Sequence, residues 1–241
     1  MARNVDKPFM RTRAGFFTAL LFRNISFNSV SFLTCPSSLA KFKFEDLDEW
    51  NNYISALRDH FPNESEDFFC NRFALGQPIA ERTVEQAEYF WKASNSCEWP
   101  EPEDWPVDFM NMYDRLTRIK GKHSLPGCGQ LSLYLLCADM VYYDLVECPS
   151  SSDMASIILS LGRGALSGLQ ILGYLKEEGK ESLTVDAVRV AFEQFTGDIT
   201  LLLYSAQELP RLKLTTIDLE HILCKYSRMW TLKFYQSFPS S

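Results

Sequence analysis

The 241-residue chain is 46% hydrophobic and 14% aromatic, enough to bury a large core and to exclude a generally disordered chain. No apolar run approaches the ~20 residues that cross a bilayer, so an integral membrane protein is not expected. The net charge of −7 is uneven: residues 1–43 hold seven Lys and Arg against Asp6 alone, a net of +6, and leave −13 to the rest. A body that acidic repels nucleic acid over most of its surface, so any DNA contact must be local.

The N-terminus opens with Arg11-Thr12-Arg13 and an apolar stretch, Ala14 to Phe22, which Arg23 interrupts. Arg23 spoils the apolar centre of a secretory signal, whereas an Arg- and Ser-rich, acid-poor start also suits a mitochondrial presequence. The reading adopted is a basic appendage over 1–43, a helical domain over 44–236 and a short tail over 237–241. Ile25, Phe27, Val30 and Phe32 predict an extended segment within residues 24–33.

From residue 44 onward helix signals recur. Leu47, Trp50, Tyr53 or Ile54, Leu57 and Phe61 keep the 3–4 spacing of one helical face over Glu45 to Phe61. An acidic helix is expected from Glu64 to Leu75, ended by Gly76. Thr83-Val84-Glu85-Gln86 has the capping-box form and opens a helix carrying Tyr89, Phe90 and Trp91. Trp99 to Pro106 holds three prolines in seven residues, which excludes regular structure and predicts an ordered strap whose indoles dock on the core. A helix from about Val107 to Lys120, the turn Leu125 to Gly129 and an apolar helix from Gln130 to about Leu145 follow.

Cys148 to Asp153 is a turn with capping residues that opens Met154 to Leu161. Gly162-Arg163-Gly164 breaks the chain, and Ala165 to Lys176 resumes helix. Thr184 caps a helix through Phe195, Gly197-Asp198 starts another to Leu209, and Thr215 to Asp218 starts the last, with Ile217, Ile222 or Leu223, Tyr226, Met229 or Trp230 and Phe234 inward. Sustained period-2 alternation is almost absent, so the fold class is all-α or nearly so.

Cys35, Cys70, Cys97, Cys128, Cys137, Cys148 and Cys224 are odd in number and form no CxxC pair. Several sit in apolar runs and read as core residues of a reducing, intracellular compartment, nucleus or cytoplasm, with mitochondria as the alternative. His60, His123 and His221 are isolated, so no metal site is expected, and no cofactor signature is present. Neither a GxSxG, a P-loop nor a dinucleotide fingerprint occurs; Gly162-x-Gly164-x-x-x-Gly168 lacks the preceding strand and the spacing.

One segment carries a chemical signal. Arg115, Arg118, Lys120 and Lys122, opposed only by Asp114, lead into Leu125-Pro126-Gly127-Cys128-Gly129, with Ser132 three residues on. Glycines let backbone approach a phosphate, and the amides of the next helix point at it. Arg and Lys beside such a turn position a nucleic-acid backbone without reading its sequence. The same turn also serves any helical bundle that changes direction, and basic residues suit a helix C-terminus through its dipole alone.

Gly162-Arg163-Gly164-Ala165-Leu166-Ser167 repeats the form of Gly127-Cys128-Gly129-Gln130-Leu131-Ser132, which makes Arg163 a candidate at a second phosphate site. The glycines there equally suit close helix packing. Cys128 at a helix start invites a lowered thiol pKa, with His123 as its nearest base in sequence.

The order of basic helix, Leu125-Pro126-Gly127-x-Gly129 and apolar helix resembles the helix-hairpin-helix motif of DNA-binding and repair proteins over about residues 112–140, with Leu133 where a small residue is usual. That resemblance implies sequence-nonspecific DNA backbone contact through Arg115, Arg118, Lys120, Lys122, Gly127, Gly129 and Ser132. It does not extend to the glycosylases of that group, whose catalytic Asp has a Val-Asp-x-His context; Asp144 and Glu147 here have no histidine beside them. The stretch from Trp105-Pro106 to Gly173 is also similar to proteins present in multiple copies in mushroom-forming fungi, through Leu135-Leu136-Cys137-Ala138-Asp139, Met154 and Gly164-Ala165-Leu166-x-Gly168-Leu169. This second likeness implies no activity. From composition comes an alternative without nucleic acid: the acidic, aromatic segment 44–109 as a docking face for a basic protein, anchored by Trp99 and Trp105.

Overall fold

Side-chain caps set where most of the helices begin. The computed structural model describes residues 6–26, 29–37, 39–63, 84–96, 99–117, 125, 128–176, 182–206 and 212–236, in two units, Met1–Glu147 and Cys148–Ser241. The protein is all-α. Among the described residues no strand occurs, only an isolated parallel bridge between Val107 and Val146. No single described helix is long and apolar enough to cross a membrane.

In the first unit Asp6 caps α1 (Lys7–Met10) by accepting the Phe9 N–H at 3.1 Å, and Thr12 caps α2 (Arg13–Leu21) by accepting the Gly15 N–H at 3.1 Å. α2 runs directly into a π-helical turn, Phe22–Ser26, and α3 (Val30–Thr34) follows. Phe16, Phe17, Leu20, Leu21 and Ile25 are wholly buried. Residues 6–44 therefore supply part of the first unit's core, where a separate basic appendage was expected. Their charges are used at home: Lys7 pairs with Asp144, Lys43 with Asp6, Lys41 with Glu49, and the Arg13 guanidinium lies 3.7 Å from the Trp91 ring centre.

The expected extended segment at 24–33 is instead helical at 24–26 and 30–33. The apolar positions Ile25, Phe27, Val30 and Phe32 break strict alternation between 27 and 30, and the Asn24 side chain donates to the Leu20 carbonyl at 3.0 Å within the helical path.

α4 (Leu47–Arg58), capped by Asp46, buries Trp50, Ile54 and Leu57 as its spacing predicts. The acidic helix expected at 64–75 and the cap at Thr83 lie outside the described residues. α5 (Gln86–Ser96) buries Ala87, Phe90 and Ala93 and packs on α2. The strap docks its indoles on the core: Trp99 stacks on Phe16 with ring centres 4.5 Å apart and donates Nε1–H to the Arg11 carbonyl at 2.8 Å, while Trp105 is buried beside it. α6 (Phe109–Thr117) and α7 (Gln130–Tyr142) then pack together, with the Phe109 and Tyr134 rings 6.2 Å apart.

In the second unit a capping box between Ser150 and Asp153 opens α8 (Ser151–Leu161). The axis turns by 97° into α9 (Ala165–Ile171), with Gly162 at φ 64° and Gly164 at φ 59° taking conformations that an L side chain rarely adopts. α9 stops before the expected Lys176, at Gly173 with φ 82°. α10 (Val185–Ser205), capped by Thr184, runs unbroken through Gly197 and Asp198, where a second helix start was expected. A helix-interior glycine costs only ~1 kcal/mol, and hydroxyls of Thr196 and Thr200 bond back to the carbonyls four residues earlier without ending the helix. Thr215 and Asp218 cap α11 (Thr216–Gln236) reciprocally. Ile217, Leu219 and Leu223 are buried on α11, while Met229 and Trp230 are exposed; the Phe234 side chain lies outside the described residues. α8 packs on α10, and α9 on α11.

Candidate nucleic-acid interface

The basic segment begins at the C-terminal end of α6. Asp108 caps that helix, accepting the Asn111 N–H at 2.9 Å, and the helix buries Phe109, Met112, Tyr113 and Leu116. With those four inward, Arg115 lies in the last turn at the rim, partly exposed, its Nε–H donating to Asn111 Oδ1 at 2.8 Å. A cation there complements the negative end of the helix dipole. Arg118, Lys120, Lys122 and Gly127 lie outside the described residues.

At the far side of the turn Leu125 is buried and accepts the Cys128 N–H at 2.8 Å, a tight reversal. The Cys128 S–H donates to Asn24 Oδ1 at 3.1 Å, so the π-helical turn fastens the residue just ahead of α7. Beside it, Arg23 is buried and donates to Asp139 Oδ2 at 2.8 Å and to the Leu135 carbonyl at 3.4 Å. Asn24 thus fastens the approach to α7, and Arg23 fastens the second half of that helix. No sequence motif marks either of them, because the partners lie more than a hundred residues away.

Gly129 is the N-cap residue of α7, extended at φ −75°, ψ 175°, and offers no side-chain cap. A Cβ placed there would meet no atom within 4 Å. Gly129, Gln130 and Leu131 are exposed, whereas Ser132 is buried and turned toward the core. The N-cap residue of α7 is therefore exposed and carries no side chain to cover the amides of a helix end, the groups that accept an anion.

Cys128 does not have the lowered pKa that its place at a helix start suggests. Burial pushes its thiol up to about 12, because desolvation of a thiolate outweighs the lowering effect of the hydrogen bond with Asn24. His123 lies outside the described residues. Asp139, which follows the apolar run, is paired with Arg23, and Asp144, exposed at φ 55°, is paired with Lys7 at 2.8 Å.

Arg163 belongs to the second unit, exposed between two glycines. The sequence likeness between the two Gly-x-Gly turns does not carry into the backbone: Gly164 is at φ 59°, ψ −98°, Gly129 in the extended region. A Cβ on Gly164 would fall 2.5 Å from Cys224 Sγ, and one on Gly168 2.6 Å from the Leu223 carbonyl oxygen. These two glycines let α9 lie directly against α11.

Trp99 and Trp105 are both engaged within the first unit, so neither stands out as an anchor for a partner. The acids around them, Glu101, Glu103, Asp104 and Asp108, are exposed. Among the described residues no group of three His, Cys, Asp or Glu side chains is placed to hold a metal ion.

No curated protein and no solved structure matches the chain. A family described as the helical domain of 5-hmdU DNA kinase matches residues 12–236 of the 241, across both units. The chain belongs to this family, the 5-hmdU DNA kinase helical domain.

Proposed function

We propose that this chain is a DNA-engaging helical domain that grips the phosphate backbone, without reading sequence, through the turn between α6 and α7. The observation that carries the reading is membership, over residues 12–236, in a family named for a kinase of 5-hmdU DNA. Phosphoryl transfer to a DNA base needs the strand held while a nucleotide is bound. This sequence has no Gly-rich P-loop but does have a local basic run ahead of a glycine turn, so holding the strand is the part assigned to it. Arg115 at the end of α6 and the exposed glycine N-cap of α7 support the assignment.

Four cations, Arg115, Arg118, Lys120 and Lys122, neutralise about four phosphates and give a log–log salt slope near −3 to −4, at about −0.9 per phosphate. The test is fluorescence anisotropy of a generic duplex across a salt series, on the wild type and on Lys120→Glu/Lys122→Glu. The expected result is weaker binding by the variant with the slope reduced by about 2. Equal binding with equal slope would leave the turn as plain architecture.

The exposed acids of the strap favour a second reading, a docking face for a basic protein partner. It predicts that Glu101→Lys/Glu103→Lys abolishes capture of such a partner and leaves duplex binding no weaker. A basic partner captured equally well by that variant would refute it.

A further inference from the structure

The last 21 residues of the chain, 221–241, contain no Asp or Glu, in a protein of net charge −7, yet carry Lys225, Arg228 and Lys233. Most of this segment is α11. Close packing of α9 on α11 sets the Gly162-Arg163-Gly164 turn directly upon it, since Gly164 abuts Cys224 closely enough that a Cβ would fall 2.5 Å from Sγ. Lys225 is the next residue of α11, and Arg228 stands one turn on from Cys224 on the same side of the helix. Arg163, Lys225 and Arg228 are all exposed, and among the described residues none of them is paired with an acid. The nearest acid in sequence, Glu220, is buried, with one oxygen accepting the Cys224 S–H at 2.9 Å and the other facing His221 at 3.7 Å. The helix dipole adds to none of this; side chains alone supply the charge.

We propose that Arg163, Lys225 and Arg228 form a second phosphate-binding patch, on the outer side of the α9–α11 pair, that holds the backbone of a DNA strand. The proposal rests on the reading of the chain as a DNA-engaging domain, and it names a site that reading does not contain. Charge complementarity selects the occupant: three unneutralised cations on an otherwise acidic protein suit a polyanion, and Arg and Lys on a turn and a helix suit a run of phosphates. It also gives a physical use to Arg163. The two glycines beside it, both at positive φ, fix a turn against α11 on which Arg163 is exposed.

The test uses the full chain and a generic DNA duplex in fluorescence anisotropy across a salt series, with circular dichroism melts as a control for folding. Lys225→Glu/Arg228→Glu is expected to weaken binding about tenfold or more near 0.1 M salt and to reduce the salt slope by about 2. Arg163→Gln, which leaves both glycines untouched, is expected to reduce it by about 1. The neutral pair Lys225→Gln/Arg228→Gln should show the same loss of slope with an unchanged melt. A wild type that binds the duplex while all three variants match its affinity and slope would overturn the patch and leave the α6–α7 reading standing. A wild type that binds no duplex would overturn both. Binding of the wild type to phosphatidylserine vesicles but not to duplex would assign the patch to a membrane surface and overturn the proposal.

Discussion

At the residue scale, two glycines and one cysteine separate architecture from candidate chemistry. Gly168 faces the α11 backbone so closely that a methyl would lie 2.6 Å from the Leu223 carbonyl oxygen and 3.0 Å from its carbon. Neither atom can swing aside as a side-chain tip can, so Gly168→Ala should cost about 1–3 kcal/mol by overpacking. Chemical denaturation would show a lower midpoint; an unchanged midpoint would mean that α9 and α11 separate freely. Gly129 is the opposite case, with φ −75° and open space where a methyl would go. Gly129→Ala should change stability by no more than about 1 kcal/mol, the scale of an N-cap preference, while weakening duplex binding by blocking approach to the α7 amides. Normal stability with full DNA affinity would remove Gly129 from the interface. Cys128 supplies a reactivity check. With its thiol raised to about 12, it stays protonated at pH 8 and should escape iodoacetamide while exposed Cys148 is alkylated; rapid labelling of Cys128 in the folded protein would contradict its burial against Asn24.

Helices show where the sequence speaks and where it falls silent. Asp46, Ser150, Thr184 and Thr215 announce their helices because a cap and its amide are three residues apart, a distance that any reader of the chain can count. Gly197 misleads for the same local reason: glycine is a common helix end, but here the packed half of α10, through Phe192 and Phe195, carries the helix past it. Gly197→Ala, at an exposed site with no atom within 4 Å, should therefore stabilise the protein by about 0.5–1 kcal/mol in thermal unfolding. A loss of stability would mean that the glycine marks a real break. The candidate interface divides similarly. The basic run and the glycine turn are visible in the order of residues, whereas the buried Arg23–Asp139 pair that holds the π-helical turn to α7 joins positions 116 apart and leaves no local trace. Asp139→Asn leaves a buried guanidinium without its counter-charge, a loss of about 1–3 kcal/mol. A double variant Arg23→Met/Asp139→Leu should recover much of that loss, and a double variant no better than the single one would show the pair to be unimportant.

For the whole molecule the instructive case is the N-terminal 43 residues. Composition alone sets them apart, +6 against −13, and that contrast reads naturally as a tail attached to a body. Charge, however, reports what a segment shows to solvent, and the decision to pack is made by its apolar residues. Phe16, Phe17, Leu20, Leu21 and Ile25 are wholly buried in the first unit, Phe16 carries the Trp99 stack, and the Thr18 hydroxyl donates to the Phe44 carbonyl at 3.2 Å. At about 1.5–3 kcal/mol for each large apolar side chain taken out of water, removing five of them costs about 8–15 kcal/mol, as much as the 5–15 kcal/mol that holds a domain folded. A chain shortened to residues 44–241 should therefore lose the cooperative folding of its first unit, seen as loss of near-ultraviolet circular dichroism from Trp50, Trp91, Trp99 and Trp105 and of one calorimetric transition. It should lose duplex binding at the α6–α7 turn as well, because the Asn24 contact ahead of α7 and the Arg23 contacts along it go with the segment. If the second unit folds on its own, binding through Arg163, Lys225 and Arg228 should persist in the same truncated chain. A shortened protein that melts at the wild-type temperature with its near-ultraviolet signal intact would show that the segment is an appendage after all.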